Sequence, residues 1–363
     1  MLQIERIRSS QARSATEREA ILRDPGFGKH FSDHMATVDW SADRGWHNAQ
    51  VRPRAPFSID PASAVLHYAQ EIFEGMKAYR DAAGRIIFFR PEENAKRFQN
   101  SAERMAMPQI PTDLFLRALQ ALVEMDQDWV PEGEGSLYLR PFLFADEAFL
   151  GVRPSNSYKF CIIASPVGSY FKGGAKPISV WVSQEYSRAA KGGTGHAKCG
   201  GNYAGSLVAQ AVATEQGCDQ VIFLDAAEGR WIEELGGMNV FFVMDDGTLL
   251  TPALGTVLPG ITRDSVIALA RDRGLTVRED RYEFAQWQAD AESGRLREAF
   301  ACGTAATIAP IGQVKHGGGS FSIRNGGMGE VTAALRSTLL GIQKGTEPDP
   351  HGWVRGLAEL ARA

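Results

Sequence analysis

Two strand-like runs stand out in the first half of the chain, EGMKAYR (74–80) and RIIFFR (85–90), separated by DAAG. Short alternating or apolar runs joined by a Gly-containing tetrapeptide predict a β-hairpin. The period then changes. From Pro91, the segment PEENAKRFQNSAERM places Ala95, Phe98, Ala102 and Met105 on one face at helical spacing, with Pro108 as its stop. A second helix is predicted over about 112–127, and SLYLRPFLFA (136–145) and KFCIIASPV (159–167) read again as strands. The order strand–strand–helix–helix–strand–strand suits an α+β domain.

The stretch GSYFKGGAK (168–176) has three glycines and little to bury, which marks a connection between domains. Beyond it, strands are predicted at 177–185, 219–225, 237–244 and 248–252, the last two joined by DDG. Helices are predicted at about 202–216, 260–273 and 329–343. Hairpins and helices mix without a regular βαβ rhythm, which argues against a doubly wound dinucleotide-binding domain.

The 363-residue chain has a net charge of −4 and a pI near 6.0, so it carries no general attraction for nucleic acid or anionic membrane. Its N-terminus, MLQIERIRSSQARSATEREAILRD, is charged and lacks the apolar core of a signal peptide. The four cysteines (161, 199, 218 and 302) form no CxxC pair, which suits reduced and mostly buried thiols. Together these features predict a cytoplasmic protein with small-molecule rather than nucleic-acid or membrane partners.

KGGTGHAKCGGNYAGS (191–206) holds a lysine, Lys198, fenced by glycines. It matches neither GxGxxG after a strand nor GxxxxGK[ST]. By itself it reads either as a surface loop with a solvated lysine or as a Schiff-base lysine whose glycines let a bulky ring approach, with burial favouring the free amine. WIEELGGMNVFFV (231–243) carries Glu233 and Glu234 into a very apolar strand. Adjacent glutamates usually form an exposed loop, yet a buried carboxylate needs a positive partner, and a pyridinium nitrogen is one.

LPGITRDSV (258–266) offers the N–H groups of Ile261 and Thr262 at a helix start, behind Gly260. That arrangement suits a phosphate, though it equally serves as a plain helix cap. CGTAATIAP (302–310), with Thr304, reads as a second turn of the same type, and Arg97 is either a nearby cation or part of a solvated face. Period two puts Ser136, Tyr138 and Arg140 on one side of their strand. Tyr138 and Arg140 together suit a carboxylate, or pair with each other on a sheet.

Taken together, KCGGNYAGS, EELGGMN, LPGITRDS, CGTAA, HYAQEIFEGMKAYR (67–80), FFRPEENAKRF (88–98), SLYLRPFL and FGKHFSDHM (27–35) resemble the blocks of branched-chain amino acid aminotransferases, in that family's order. The resemblance implies a mixed α+β / α/β, two-domain fold-type-IV architecture like that of D-amino acid aminotransferase. It implies a smaller N-terminal domain over 1–168, an interdomain loop at 169–176, and a larger C-terminal domain over 177–363 carrying the cofactor lysine. The cofactor implied is pyridoxal 5′-phosphate, with Lys198 as its Schiff-base lysine and proton carrier. Tyr203 is the tyrosine beside its phenolic oxygen, and Glu234, by the family spacing, the carboxylate on its ring nitrogen. Arg97, Ile261, Thr262 and Thr304 form the phosphate cup with Gly237 beside it, and Arg188 is a cofactor-side arginine.

For the substrate, the resemblance implies walls of Phe27, Tyr68, Phe73, Tyr138 and Tyr170, and a Thr304–Ala305 turn for the α-carboxylate. Arg140 is the arginine that lets the same pocket take the glutamate side chain. Lys77 matches a position near the pocket entrance without a firm role. Mammalian members carry CxxC after the GTA turn, where this chain reads GTAATIAP, so a thiol switch there is not expected. The expected reaction is ping-pong transfer of an amino group between leucine, isoleucine or valine and 2-oxoglutarate, in a homodimer. Two alternatives stay open: another fold-type-IV enzyme (a D-amino acid aminotransferase or an aminodeoxychorismate lyase), and a binding protein that merely retains the fold.

Overall fold

The structure is a computed structural model that describes residues 2–168, 176–324 and 326–362. The predicted connection at 169–176, save its last residue, and with it Tyr170, lies outside the described residues. The chain forms two compact units.

The first unit begins with β1 (Glu5–Arg6), α1 (Ala15–Arg23), β2 (His34–Ser41), β3 (Gly45–Pro53), α2 (Ala64–Tyr68) and β4 (Glu71–Phe73). It continues with β5 (Met76–Arg80), β6 (Ile86–Phe89), α3 (Pro91–Arg104), α4 (Thr112–Met125), β7 (Ser136–Ala145) and β8 (Ser157–Val167). The predicted hairpin, helix pair and long strands are present. The hairpin β2–β3 and the short β4 escaped prediction, because their apolar positions are diluted by Asp, Asn, His and Glu. The sheet runs β1-β3-β2-β8-β7-β5-β6, with β4 on the free stretch of β7 beyond β5.

Leu137, Leu139 and Leu143 are fully buried on one face of β7, together with Phe98, Phe115 and Phe160 beneath the helices. The other face of β7 bears Tyr138, Arg140 and Phe142, and is only half-buried. Strand alternation thus assigns one face to the core and leaves the other partly open.

The second unit contains β9 (Ile178–Ser183), α5 (Gly200–Ala204), α6 (Leu207–Glu215), β10 (Gln220–Leu224), β11 (Ile232–Leu235), β12 (Asn239–Met244) and β13 (Thr248–Thr251). It adds α7 (Ile261–Asp272), β14 (Thr276–Glu279), α8 (Phe284–Ser293), β15 (Leu296–Gly303), β16 (Thr307–His316), β17 (Gly319–Ser322) and most of α9 (Glu330–Lys344). Its sheet order is β11-β10-β9-β16-β15-β12-β13-β14, with parallel pairs β9–β10, β9–β16 and β13–β14 among antiparallel ones. This mixed order is not a doubly wound sheet. Among the described residues, no helix is long and apolar enough to cross a membrane.

Two expectations need correction here. The helix expected over 202–216 is two helices, interrupted at Gly205–Ser206. CGTAATIAP does not open a helix. It is the strand–turn–strand between β15 and β16, with Cys302 opposite Ile308 and Gly303 opposite Thr307.

A division at 168 and 177 also misses how the chain packs. Residues 197–200 and 341–362 belong to the first unit, which is consequently the larger, and Lys198 with it. The reasons are specific: β18 (Val354–Gly356) adds an antiparallel edge to β6, Leu360 enters the core, and the lysine segment is hydrogen-bonded to β4 and α3.

Phe98 is fully buried, with the Phe115 and Phe160 rings each 5.6 Å away. Phe98→Ala should therefore cost about 3–5 kcal/mol, read as a lower urea midpoint for loss of far-UV circular dichroism.

Candidate active site

In the first unit, α3 carries two stripes. Ala95, Phe98 and Ala102 face the core, while Asn94, Arg97 and Ser101 form a second buried line at i, i+3 and i+7. Arg97 is not on a solvated face. Its Nε and Nη2 donate to the two oxygens of Glu74, at 2.7 and 2.9 Å, and Asn94 Nδ2 donates to the same carboxylate at 2.7 Å. Burial opposes the charge of Glu74 more than any other single influence, yet Arg97, Lys198 and Asn94 together hold its carboxyl below the ordinary range.

The lysine segment is fastened to the same elements. Lys198 N–H donates to Ser101 Oγ at 2.9 Å, and Phe73 N–H donates to Lys198 O at 2.9 Å. Ser101 Oγ in turn donates to Arg97 O at 3.0 Å, one turn back along α3. Gly200 N–H donates to the Glu71 carboxylate. Lys198 Nζ lies 4.9 Å from the centre of the Phe73 ring. The lysine is thus half-buried, with its backbone fixed on both sides.

Arg140 shares this face. Its guanidinium lies 4.8 Å from the Phe73 ring centre and 5.4 Å from that of Tyr138, and Nη2 donates to Tyr138 Oη at 3.2 Å. Its Nε is buried and finds no hydrogen-bond partner among the described residues. A buried donor without a partner is costly unless a ligand satisfies it, and a carboxylate would. Phe27 meets Tyr138 edge-on at 5.2 Å, and Gly75 leaves room for the Tyr138 ring, whose Cζ would lie 3.0 Å from any Cβ there. Tyr68 stands apart, exposed, donating to Leu150 O.

Lys77 lies opposite Tyr138 in the β5–β7 pair. Burial, reinforced by Lys344, lowers its amine from 10.5 to about 8.

In the second unit, alternation along β11 sends its two glutamates to opposite faces. Glu234 faces Arg188, with Nη1 2.6 Å from Oε1, and accepts from Leu258 N at 3.0 Å and Asn239 Nδ2 at 3.2 Å. Glu233 accepts instead from Thr256 Oγ1. Its carboxyl is pushed up by burial, pulled down by Thr256, pushed up by Asp225 and pulled down by Arg188, with a net rise. Arg188 lies 5.9 Å from the Tyr203 ring centre, and its Nε is another buried donor without a partner among the described residues.

Asn239 also donates to Leu258 O at 3.0 Å, and so ties Glu234 to the loop before α7. That helix starts at Ile261 after Gly260 and has no side-chain cap on its N-terminus. Gly260 packs against the Asn239 amide, leaving no space for a side chain. The Thr304–Ala305 turn follows Gly303, which lies against Met238 and Gly237, and Gly237 itself lies beside Tyr203. A phosphate fits this donor set. The first turn of α7, with no side-chain cap, presents the Ile261 and Thr262 N–H groups.

Within their own units, then, Lys198, Arg97, Phe73, Tyr138, Arg140 and Phe27 come together, as do Arg188, Tyr203, Glu234, Gly237 and the two turns. Sequence reasoning passed over Glu71, Glu74, Ser101, Asn239 and Thr256. Only Glu74 left a signal, a charge inside the apolar run IFEGM.

These features mark an aminotransferase: residues 71–314 match the family described as Amino-transferase class IV, and the chain belongs to it. The chain is 56% identical to the branched-chain-amino-acid aminotransferase of Mycolicibacterium smegmatis over 96% of its own length and 97% of that protein's. It is 47% identical to branched-chain-amino-acid aminotransferase 2 of Bacillus subtilis over 93% of each. The fold matches a T.th. branched-chain amino acid aminotransferase solved with pyridoxamine 5′-phosphate, with a TM-score of 0.74 and 30% identity over 89% of this chain and 99% of that one. The Escherichia coli branched-chain amino acid aminotransferase matches with a TM-score of 0.71 and 28% identity over the same shares.

Glu74→Ala leaves Arg97 buried without its carboxylate and should cost about 3–5 kcal/mol, measured by urea unfolding against Glu74→Gln, which keeps one acceptor. For Lys77, folding disfavours the charged amine, so the unfolded chain binds more protons between about 8 and 10.5. Lys77→Met should raise the melting temperature below pH 8, with a gain that shrinks as pH rises from 8 to 10.5; calorimetry across that range checks it.

Proposed function

We propose that the chain is a branched-chain L-amino acid aminotransferase that exchanges amino groups between leucine, isoleucine or valine and 2-oxoglutarate. The observation that carries this reading is Lys198, its backbone clasped by Ser101 and Phe73, on the unit where an arginine with an unsatisfied Nε sits among aromatic side chains. An apolar surface with one reachable cation suits a branched side chain and a glutamate side chain in turn. The names of the relatives support the same substrate class.

Pyridoxal 5′-phosphate, when bound, supplies an electron sink for the substrate Cα and a carbon that carries the amino group. Lys198 Nζ would hold it covalently in the resting protein; once displaced by the substrate amine, the free Lys198 amine would carry the proton taken from the substrate Cα. Glu234, held by Arg188, Asn239 and Leu258 N–H, would be the carboxylate partner of the ring nitrogen. Tyr203 and Arg188 orient the ring. By the family resemblance, Ile261 and Thr262 N–H, Thr304 and Arg97 would be the residues that hold the phosphate, with Gly237 beside it. Arg140 would receive the distal carboxylate of glutamate, the Thr304–Ala305 turn the α-carboxylate, and Phe27, Phe73 and Tyr138 would line the side chain. The family resemblance further supports a cytoplasmic homodimer.

Purified protein with added pyridoxal 5′-phosphate should show a visible absorption band that is absent in Lys198→Ala, and borohydride should fix the cofactor mass to the peptide bearing Lys198. Turnover with leucine and 2-oxoglutarate should fall by about 10³-fold or more in that variant. D-Alanine as the preferred donor over leucine, isoleucine and valine would replace this reading with a D-amino acid aminotransferase.

A further inference from the structure

β4 is three residues long, yet it sets two side chains beside the lysine segment and the arginine. It pairs with β7 so that Glu71 faces Phe144 and Phe73 faces Phe142. Directly paired residues of an antiparallel sheet project to the same side, and alternate residues share it. Glu71 and Phe73 therefore stand on the sheet face that carries Phe142, Arg140 and Tyr138. Phe73 lies under both Arg140 and the Lys198 amine. Glu71 accepts the Gly200 N–H, two residues past Lys198, and a Cβ at Gly200 would have to displace that carboxylate. Burial pushes the Glu71 carboxyl up, Gly200 N–H and Arg140 pull it down, and the net is a rise.

An arginine facing an apolar surface attracts any dicarboxylate strongly. A fixed anion beside it lowers the positive potential that an incoming carboxylate meets, and a branched aliphatic side chain does not feel the difference. Glu71 is such an anion, and it is also the acceptor that fixes the end of the lysine segment. We propose that Glu71 is a specificity-determining and positioning residue: its charge tempers Arg140 against glutamate and 2-oxoglutarate, and its hydrogen bond to Gly200 anchors the segment that carries Lys198.

This inference rests on the proposed role of Arg140, and two variants of the full-length, cofactor-loaded protein test it at pH 8. Glu71→Gln keeps an acceptor for Gly200 but removes the charge. The KM for glutamate should fall about three- to five-fold relative to the KM for leucine, while Gly200 amide hydrogen exchange stays near that of the wild type. Glu71→Ala removes both, and Gly200 exchange should rise about ten-fold or more, with kcat lower for both donors. A glutamate-to-leucine KM ratio that is unchanged or raised in Glu71→Gln overturns the tempering, and unchanged Gly200 exchange in Glu71→Ala overturns the anchoring. If wild-type protein does not transaminate between leucine and 2-oxoglutarate, the functional reading fails instead, and the exchange measurement still decides the anchoring.

Discussion

The fully buried carboxylate of Glu74 is the constraint around which the first unit is arranged. A charge with no exposed surface persists only if geometry and donors compensate its lost hydration. Here the guanidinium of Arg97 meets it through two nitrogens, Asn94 adds a third donor, and the Gly75 N–H a fourth at 3.1 Å. Those donors come from α3 and from the turn between β4 and β5, so satisfying one carboxylate fixes the helix against the sheet corner. Ser101, one turn further along α3, then receives the Lys198 N–H from a helix whose position is already set. The lysine segment is thus anchored on a helix that the buried ion pair has already fixed.

The second unit uses the same economy with different parts. Glu234 is buried at the end of a four-residue strand and collects a guanidinium, an amide side chain and a backbone N–H. Asn239, bonded to both Glu234 and Leu258 O, links that strand to the loop that opens α7. Satisfying the carboxylate thus also sets where the helix start lies. Its neighbour Glu233, on the other face of the strand, fastens the same loop through Thr256. Adjacent acidic residues that would ordinarily be solvated are here used back to back, because a period-two strand offers both faces to different partners.

Much of the local structure was legible. The face of α3 formed by Ala95, Phe98 and Ala102, the strand of Tyr138 and Arg140, and the helix after Leu258–Gly260 follow from periodicity and from glycine and proline punctuation. The resemblance of the motifs brought Lys198, Glu234 and Arg97 forward as candidates. The strand–turn–strand around Thr304 was misread as a helix start, because small residues serve both structures and the pairing of Cys302 with Ile308 leaves no local trace. The weak hairpin β2–β3 was missed for a related reason, since its stability comes from neighbours such as β8 rather than from its own alternation.

What the amino-acid sequence determined by itself is the set of residue types and the nearest-neighbour geometry: which face of a helix is apolar, which strand positions share a side, where the backbone needs glycine. Tertiary structure alone decided who pairs with whom. Glu74 and Arg97 are 23 residues apart, Ser101 and Lys198 are 97 apart, and Glu71 and Gly200 are 129 apart. It also decided that the lysine segment and the C-terminal strand belong to the first unit. The physical reason is that periodicity reports interactions over a turn or a pleat. The compensation of a buried charge or N–H depends on whichever distant group the packed core brings within about 3 Å.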